Sequence, residues 1–388
     1  MPRLEAEIAA AGHSVLLAGW AFGPSFRLSR GGPTLRELLA EAKAEVRVLA
    51  WAGAPLPLFT PSRAQVRDAR DALVHGTRIR MALDARERPM HCHHEKLAVI
   101  DGRVAFVGGI DLTALGGDRL DTSAHPARGA VGWHDASSRI EGPVVADVAS
   151  HIALRWREVT GEELEPVEPI AAGSTRAQFL RTVPNGVYDA LPDGDYRILE
   201  AYIRALRSAQ RLVYLESQFL WAPEVTEILR AKLRDPPTDE FRLIVLLPAR
   251  PNNGADDTRG QLGLLVDSDE DNRFLACSLY QPTRADQVYV HAKIGIVDDR
   301  WLVIGSANLN EHSFYNDTEA CMITCDEELV RATRLRLWRE HLGCEDVSFE
   351  RFRERAEDER YDRLALLPHL SRRTRGFLGP LNGLLVDG

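Results

Sequence analysis

Two copies of one short motif hold the side chains of this chain that are best suited to chemistry. The motif is a histidine, a lysine two positions later and an aspartate five positions after the lysine. Its residues are His94, Lys96 and Asp101 in the first copy, and His291, Lys293 and Asp298 in the second. Corresponding residues are 197 positions apart (291 minus 94), a register that a chance pair of triplets would not keep along the turns that follow. The motifs therefore indicate an internal repeat.

A turn of small residues follows each motif in the same register. The turn residues are Gly108, Gly109 and Asp111 in the first copy, and Gly305, Ser306 and Asn308 in the second. We predict structural roles for the glycines, for Asp111, and for the motif aspartates Asp101 and Asp298, which would anchor the turn after each motif strand. Ser306 and Asn308 are instead predicted to hold phosphate oxygens together with the two lysines, because these groups can donate hydrogen bonds to an anion.

Two imidazoles in one pocket could break and remake a phosphodiester. Alternate residues of a strand face the same way, so each histidine would share a face with the lysine of its motif. Joining the halves would place His94, His291, Lys96 and Lys293 around one phosphate. One neutral imidazole would attack phosphorus while the other, protonated, donates to the leaving alcohol. Their ordinary pKa of about 6.5 suits both roles near neutrality, and this chemistry requires no cofactor or metal ion.

Each catalytic imidazole needs a partner that holds it in one tautomer, usually a carboxylate on its other nitrogen. Asp135 and Glu319 each precede an apolar run in their own half and are 184 positions apart (319 minus 135). We predict that both acids belong to the catalytic site, with Asp135 orienting His94 and Glu319 orienting His291.

The elements that must position these residues also repeat. The apolar run Ser14–Gly19 corresponds to Leu212–Glu216, and residues 46–50 correspond to 242–247. Runs of this length that alternate with helical segments predict an α/β sheet in each half. The sequence therefore predicts an α/β fold of two similar α/β/α halves, related by pseudo-twofold symmetry, with the site between them.

The predicted boundaries follow from the repeat and from a proline-rich stretch between its copies. The first half would span residues 1–165 and carry the first motif. Residues 166–186 would form the linker, because they contain prolines and no clear period. The second half would span residues 187–388, with the second motif and a C-terminal tail. Since one chain supplies both half-sites, we expect a monomer to be functional.

Composition limits the classes of function. The chain has 388 residues, of which 45% are hydrophobic and 27% charged, as is typical of globular proteins. Its net charge of −9 disfavours nucleic-acid binding, which usually depends on a basic surface. Five cysteines do not suggest a secreted disulfide framework, and no apolar window reaches the ~18 residues of a membrane span. Because the N-terminus also lacks the order of a signal peptide, we expect a cytoplasmic enzyme that contacts membranes peripherally.

Two further features admit a structural and a functional interpretation. The run HCHH at residues 91–94 could suggest zinc, but only alternate strand residues converge and His94 belongs to the motif, so we predict no metal site. The apolar stretches 51–59 and 219–221 would either seat the enzyme at a lipid surface or pack the edge of the pocket. Four residues at the start of the second half are assigned to the pocket rim: Glu216, Gln218, Phe219 and Trp221.

The two motif blocks resemble the phospholipase D superfamily, over roughly residues 12–345. The second block, HAKIGIVDDRWLVIGSANLNEHSFYNDTEA, is similar to the superfamily as a whole. The first block discriminates further. Its segments FVGGIDLT, DRLDTSAHP and GWHDASSRIEGPVVADV are similar to phospholipases D that act on diacyl phospholipids, more than to the nuclease branch. YLESQFLW, which contains Glu216 and Gln218, resembles the segment that begins the second half of those enzymes.

The resemblance implies a substrate and assigns roles to the two histidines. It implies hydrolysis of phosphatidylcholine-like lipids to phosphatidic acid through a phosphohistidine, with transfer to other alcohols as a second outcome. It makes His94 the nucleophile and His291 the general acid, a choice that the residues alone leave open. The implied partners are a phospholipid, a membrane surface and a water or alcohol acceptor, without nucleic acid. The alternatives are a phosphatidyltransferase resembling cardiolipin synthase, a nuclease, and an inactive binding module, which two complete motifs disfavour.

Overall fold

The computed structural model describes all residues except 57–58, 114–131, 252–253, 281–286, 359, 362 and 369–388. The DRLDTSAHP segment of the first block and the C-terminal end of the chain lie outside the described residues. Within the described ranges, no helix is both long enough and apolar enough to cross a membrane.

The first half consists of strands that alternate with helices. Its described helices are α1 (Pro2–Ala10), α2 (Leu35–Glu41), α3 (Arg63–Val74) and α4 (Val144–Thr160). Its described strands are β1 (Ser14–Gly19), β2 (Glu45–Trp51), β3 (Arg80–Asp84), β4 (Lys96–Ile100), β5 (Val104–Gly108), β6 (Gly132–His134) and β7 (Ser137–Glu141). Helices α2 and α3 each begin with a capping box, formed by Thr34 with Glu37 and by Ser62 with Gln65. In each box, the side chain of either residue accepts a hydrogen bond from the backbone N–H of the other.

The second half repeats this alternation and adds strands at both edges of its sheet. Its described helices are α5 (Arg197–Ser208), α6 (Pro223–Arg234), α7 (Ala255–Val266), α8 (Glu327–Leu342) and α9 (Phe349–Glu357), with a π-helical segment at His312–Asn316. Its described strands are β8 (Ala177–Val183), β9 (Asp195–Tyr196), β10 (Leu212–Glu216), β11 (Arg242–Leu246), β12 (Phe274–Tyr280), β13 (Gln287–Val290), β14 (Ile294–Val297), β15 (Trp301–Gly305), β16 (Glu319–Thr324) and β17 (Leu364–Leu366).

The two halves share one strand order, which confirms the predicted fold class. The first sheet runs β3-β2-β1-β4-β5-β7, and the second contains the matching order β12-β11-β10-β14-β15-β16. The matching pairs β1–β2 and β10–β11 are parallel, whereas β1–β4 and β10–β14 are antiparallel. Helices α4 and α8 also correspond, since each ends at a glycine in the left-handed conformation, Gly161 or Gly343.

Strands also pass between regions that the sequence analysis treats as separate. β6 comes from the first half but lies in the second sheet, parallel to β13. β8 lies within the range predicted as linker, 166–186, yet it pairs antiparallel to β16 along six residues. Phe179 and Leu180 are buried in apolar clusters on opposite faces of the sheet, so the segment gains both a hydrogen-bonded ladder and apolar contacts.

An apolar cluster joins the halves beneath the motifs. Val99 and Val107 of the first sheet pack in it together with Ala320 and Met322 of β16. Trp156 of α4 completes the cluster and is 2% exposed. Because both motif strands are buried along their whole length, a shift of either half would expose apolar surface. The motifs therefore lie on a rigid common base.

Candidate active site

The motif aspartates anchor the turn after each motif strand. The carboxylate of Asp101 accepts hydrogen bonds from the backbone N–H groups of Gly12, His13 and Ser14, at 2.8–2.9 Å. The carboxylate of Asp298 accepts in the same way from Gln210, Arg211 and Leu212, at 2.7–2.8 Å. Each aspartate thus ties the end of its motif strand to the start of β1 or β10. Both have positive φ, which aspartate tolerates better than most residues in a tight turn.

The motif lysines are buried, and both act electrostatically on one carboxylate. Lys96 is 6% exposed and Lys293 is 1% exposed. Each Nζ donates to the backbone carbonyl of the histidine in its own motif, which orients the ammonium group beside that histidine. Burial raises the pKa of Glu319, and both lysines oppose that rise electrostatically.

Each motif histidine bonds to an acid from the opposite half. His94 Nδ1 lies 3.0 Å from Glu319 Oε1, and His291 Nδ1 lies 2.7 Å from Asp135 Oδ2. The predicted pairing within each half, Asp135 with His94 and Glu319 with His291, is therefore wrong. Both acids still bond to a motif imidazole, but the partners are exchanged.

Backbone hydrogen bonds between the halves explain the exchange. The N–H of His94 donates to the carbonyl of Thr318, and the N–H of His291 donates to the carbonyl of His134, both at 2.9 Å. Thr318 and His134 directly precede the two acids, so each acid is delivered to the other half's histidine. A repeat in the sequence gives the spacing of the acids but not the sheet edge that each one joins.

Besides its contact with His94, the carboxylate of Glu319 accepts hydrogen bonds from two hydroxyl groups. Ser306 Oγ donates to Oε2, and Ser313 Oγ donates to Oε1 at 2.5 Å. Ser306 was expected to bind phosphate, but its fully buried hydroxyl is directed to this acid. Burial raises the pKa of Glu319 to about 7, against the opposing effect of the lysines and the hydroxyl donors. Ser313 was not singled out from the sequence, because no pattern distinguishes it from other serines.

The acid behind His291 requires a glycine beside it. A Cβ on Gly109 would lie 2.3 Å from Asp135 Oδ1, closer than real contacts allow. Asp135 Oδ1 also accepts from the N–H of Ala136 at 2.8 Å, which restricts its rotation. The ring of Trp133 packs against the His291 imidazole, with centroids 4.2 Å apart. Glycine at this position therefore lets the turn after β5 approach the orienting acid.

The other two turn glycines are also sites of close approach. A Cβ on Gly108 would lie 2.4 Å from the Cα of Ser137, in the neighbouring strand. A Cβ on Gly305 would lie 2.6 Å from the carbonyl oxygen of Ala320. Both positions pack a turn against the backbone that follows an orienting acid.

The acid and the amide of the two turns have different contacts. Asp111 Oδ1 lies 3.5 Å from Lys96 Nζ. Asn308 Oδ1 accepts from the N–H of Gln218 at 3.3 Å and from the hydroxyl of Ser217 at 3.4 Å. Asn308 is fully buried, and these two bonds define the orientation of its side-chain amide.

The residues expected at the pocket rim are buried behind the site instead. Gln218, Phe219 and Trp221 are at most 5% exposed, and the rings of the last two stack at 4.8 Å. The side-chain amide of Gln218 donates to the hydroxyl of Tyr289 at 2.9 Å. This packing supports the structural interpretation of the 219–221 stretch and leaves no apolar ring there for a lipid surface.

Glu216 forms a buried cluster with two histidines next to the His291 pair. Its carboxylate lies 2.7 Å from His134 Nε2 and 3.1 Å from His341 Nε2, and it accepts from the hydroxyl of Tyr214. Although burial alone would raise it, the histidines hold the pKa of Glu216 well below its ordinary value. Opposing the effect of burial, Glu216 raises the pKa of His134. The cluster thus fixes the residue that precedes Asp135.

A second buried ionic network supports the first motif. Arg155 donates to Asp84 Oδ2 at 2.7 Å and to Glu95, which lies between His94 and Lys96. Glu95 also contacts His151 Nε2 at 2.7 Å. Although burial opposes it, Arg155 and His151 lower the pKa of Glu95 to about 2. This network was missed in the sequence, where its four charged or titratable residues have no common spacing.

A cavity of about 850 Å³ opens beside the first motif. Lys96, Asp111 and Asp135 contribute polar groups to its lining, and Phe22 and Leu112 contribute apolar ones. This volume lies in the range of small-molecule sites, and the mixed lining suits a molecule with both a charged and an apolar part.

The arrangement selects the reactive nitrogen of each imidazole. Because Nδ1 of both histidines is bonded to a carboxylate, Nε2 is the nitrogen that can attack an electrophile or exchange a proton. Two such imidazoles beside two buried ammonium groups can perform nucleophilic and acid–base steps on an anionic substrate.

Several known proteins are similar to this chain in sequence. Residues 202–339 match a family model described as "Cardiolipin synthase, PLD-like domain". The chain is 26% identical to Phospholipase D A of Dictyostelium discoideum, over 85% of this chain and 34% of that protein. It is 25% identical to Phospholipase D alpha 1 of Cynara cardunculus, over 69% of this chain and 51% of that protein. The chain thus matches about a third to a half of the length of these relatives.

A solved structure has the same overall fold. The crystal structure of phosphatidylserine synthase from Haemophilus influenzae Rd KW20 superposes with a TM-score of 0.57. The superposition covers 98% of this chain and 90% of that one, at 12% sequence identity. The shared architecture therefore extends through both halves.

Proposed function

We propose that this chain, which belongs to the phospholipase D superfamily, cleaves the headgroup from phosphatidylcholine-like phospholipids and releases phosphatidic acid. The observation that carries the proposal is the exchanged pairing, His94 with Glu319 and His291 with Asp135. It provides two imidazoles with defined tautomers, one for attack on phosphorus and one for proton transfer. A binding module would not require either imidazole to be oriented in this way.

In the first step, His94 Nε2 attacks phosphorus and the bond from phosphorus to the headgroup oxygen breaks. His291, in its protonated form, donates a proton to the departing oxygen, which leaves as the neutral headgroup alcohol. Lys96 and Lys293 neutralise the charge that develops on the non-bridging oxygens. Glu319 stabilises the positive charge that His94 acquires on forming the phosphohistidine. The assignment of His94 as nucleophile comes from the family resemblance.

In the second step, the phosphohistidine is released by an acceptor. Neutral His291 takes a proton from water, the water oxygen attacks phosphorus, and the bond between phosphorus and His94 Nε2 breaks. The products are phosphatidic acid and the resting enzyme, with His291 protonated again. An alcohol in place of water would give a phosphatidyl alcohol by the same steps. All of these steps use side chains of the chain itself, so we propose that turnover requires no metal ion.

A lipid substrate is supported by two observations. The curated relatives are named phospholipases D, and the cavity beside Lys96 combines charged and apolar lining. The net charge of −9 disfavours a nucleic-acid substrate. We propose peripheral association with membranes in the cytoplasm, with a single chain as the functional unit.

The family model that matches residues 202–339 favours one second candidate. Its description names cardiolipin synthase, so the acceptor in the second step would be the hydroxyl of another lipid. The same histidines and lysines would serve, and only the acceptor would differ. The two candidates therefore predict different products from the same intermediate.

The proposal can be tested by incubating the chain with phosphatidylcholine vesicles and ethanol in EDTA, and measuring phosphatidic acid and phosphatidylethanol. We expect both products, because water and ethanol compete for one phosphohistidine. His94→Ala and His291→Ala should each abolish both, whereas substitution of the exposed His75 by alanine should not. Folding of each variant is checked by thermal unfolding.

Specific outcomes would change the assignment. Full activity in either motif variant would refute the two-histidine mechanism. Transfer to phosphatidylglycerol without hydrolysis of phosphatidylcholine would favour the synthase-like candidate. If no phospholipid reacted, cleavage of single-stranded DNA would move the assignment to a nuclease.

A further inference from the structure

Three potential metal ligands meet at a place that the proposed reaction does not use. His91 Nδ1 lies 2.9 Å from His312 Nδ1 and 3.6 Å from Asp317 Oδ1. All three donor atoms lie within 4.8 Å of one another. His312 and Asp317 are buried, whereas His91 is partly exposed. The cluster is therefore compact and has one side towards solvent.

The three residues come from both halves of the chain. His91 precedes the first motif by three residues, and Asp317 precedes the orienting acid Glu319 by two. Between these positions, His93 and Thr318 form a parallel backbone bridge. Asp317 Oδ1 also accepts from the N–H of Cys92 at 2.7 Å. The cluster thus lies at the junction that brings Glu319 to His94.

We propose that His91, His312 and Asp317 bind one zinc ion, which fastens the two halves together beside the active site. Zinc binds imidazole nitrogen and carboxylate oxygen at about 2.0–2.2 Å, so tetrahedral ligands are roughly 3.3 Å apart. The separations of His91 Nδ1 from His312 Nδ1 and from Asp317 Oδ1, 2.9 and 3.6 Å, lie on either side of that value. Two imidazoles with one carboxylate suit zinc better than calcium or magnesium, which prefer oxygen ligands.

The surroundings both favour and limit such a site. Asp317 is fully buried and accepts from the N–H of Cys92, so a cation beside it would add to the compensation of its charge. The exposed side of His91 gives an ion access and leaves the fourth position to water. Arg88 donates to the side-chain oxygen of Asn316, the neighbour of Asp317, at 2.8 Å, and its positive charge weakens the attraction for a cation.

The other residues of the HCHH run have different roles. Cys92 packs with Trp20 and Trp51 in an apolar cluster. His93 Nε2 lies 3.1 Å from Asp84 Oδ1, and His94 holds Glu319. The run therefore supplies one ligand, and the other two come from the second half, where sequence spacing gave no indication of them.

The zinc site is independent of the proposed function, since none of its ligands takes part in the catalytic steps. The competing arrangement is a hydrogen bond between two neutral imidazoles, with one Nδ1–H donating to the other Nδ1. The His134, Glu216 and His341 cluster is a second candidate for the same ion. Both alternatives are distinguished by the following experiment.

The full-length chain is stripped with EDTA, dialysed, and titrated with ZnCl₂ while bound zinc and thermal unfolding are measured. We expect one zinc per chain and a rise in the melting temperature on zinc addition. His91→Gln and His312→Gln should each lose the bound zinc and the rise. Cobalt in place of zinc should give the visible absorption of a tetrahedral site, which disappears in the same variants.

Two variants serve as controls. His75→Gln removes an exposed histidine, and His341→Gln removes a ligand of the second cluster; both should retain zinc. His91 is partly exposed, so its variant tests the site even where substitution of the buried His312 impairs folding. The proposal is refuted by an absence of zinc binding, by zinc that persists in the His91 variant, or by loss of zinc only in the His341 variant.

Discussion

The contact between Gly109 and Asp135 allows a sharp test of how the site is held together. In Gly109→Ala the new Cβ would lie 2.3 Å from Asp135 Oδ1, whereas ordinary contacts begin at 3.4 Å. The carboxylate must therefore move by about 1 Å, which stretches its 2.7 Å hydrogen bond to His291 beyond the usual limit of about 3.2 Å. The same movement strains the bond from the N–H of Ala136 to Oδ1.

The expected loss follows from the type of hydrogen bond. A hydrogen bond to a charged group contributes about 1.5–3 kcal/mol, and each 1.4 kcal/mol changes a rate about tenfold. Gly109→Ala should therefore reduce kcat by roughly 10- to 150-fold, while Asp135 itself is unchanged. Gly12→Ala is the matched control, because its Cβ would have only Asp101 Oδ2 nearby, at 3.9 Å.

The assay is turnover of the soluble phosphodiester bis(p-nitrophenyl) phosphate, with thermal unfolding measured in parallel. A second readout is the Nδ1 proton of His291, whose downfield NMR resonance reports the bond to Asp135 whether or not the substrate is turned over. A folded Gly109→Ala protein with unchanged kcat and an unchanged resonance would show that the site tolerates this displacement. The reasoning from close approach would then be wrong.

Three further predictions concern charge and pH. Because burial raises the pKa of Glu319 to about 7, kcat/KM should fall as pH drops below about 7. Ser313→Ala removes a hydrogen-bond donor that lowers this pKa, so in that variant the fall should occur at higher pH. Arg155→Met should lower the free energy of unfolding, measured in urea, by about 3–5 kcal/mol, since it removes the guanidinium that two buried carboxylates share, whereas the exposed Arg204→Met should have little effect. Asp101→Asn should cost about 1–3 kcal/mol of stability at pH 7 through lost acceptance of backbone N–H bonds.

The signs of the pH effects differ between these carboxylates. Despite some burial, backbone donors lower the pKa of Asp101, so its stabilisation is present above the ordinary pKa and is lost as pH falls through the lowered value. The raised pKa of Glu319 has the opposite consequence for stability, which decreases as pH rises through about 7. If the Asp101→Asn protein lost stability in acid to the same extent as the parent, the assignment for Asp101 would be contradicted. A pH profile of kcat/KM that Ser313→Ala left unchanged would contradict the assignment for Glu319.

The sequence predicted what depends on local spacing and on repetition. Ser14–Gly19 and Leu212–Glu216 were predicted as strands at the bounds the structure gives, because an apolar run between helical segments has few other conformations. The anchoring role of Asp101 and Asp298 also followed from position, since an aspartate after a strand commonly caps a turn. These inferences needed no knowledge of which segments become neighbours.

What the sequence did not reveal depends on contacts between distant segments. The exchange of Asp135 and Glu319 between the histidines arises from strand pairing across the halves, and a repeat looks the same whether its acids remain in their own half or cross. Ser306 was assigned to phosphate because a hydroxyl can donate equally well to a substrate phosphate or to a carboxylate of the protein. Glu216 was placed at a rim because its histidine partners are 82 and 125 residues away.

The crossing of acids between the halves also determines when during synthesis the site can first exist. The ribosome produces His94 long before Glu319, and Asp135 long before His291. A nascent first half therefore carries a histidine without its tautomer-setting acid and an acid without its histidine. Reactivity towards phosphodiesters should emerge only after β16 has left the ribosome and joined the sheet. Chains that stop short of this strand would be inert, even with the first motif intact and folded.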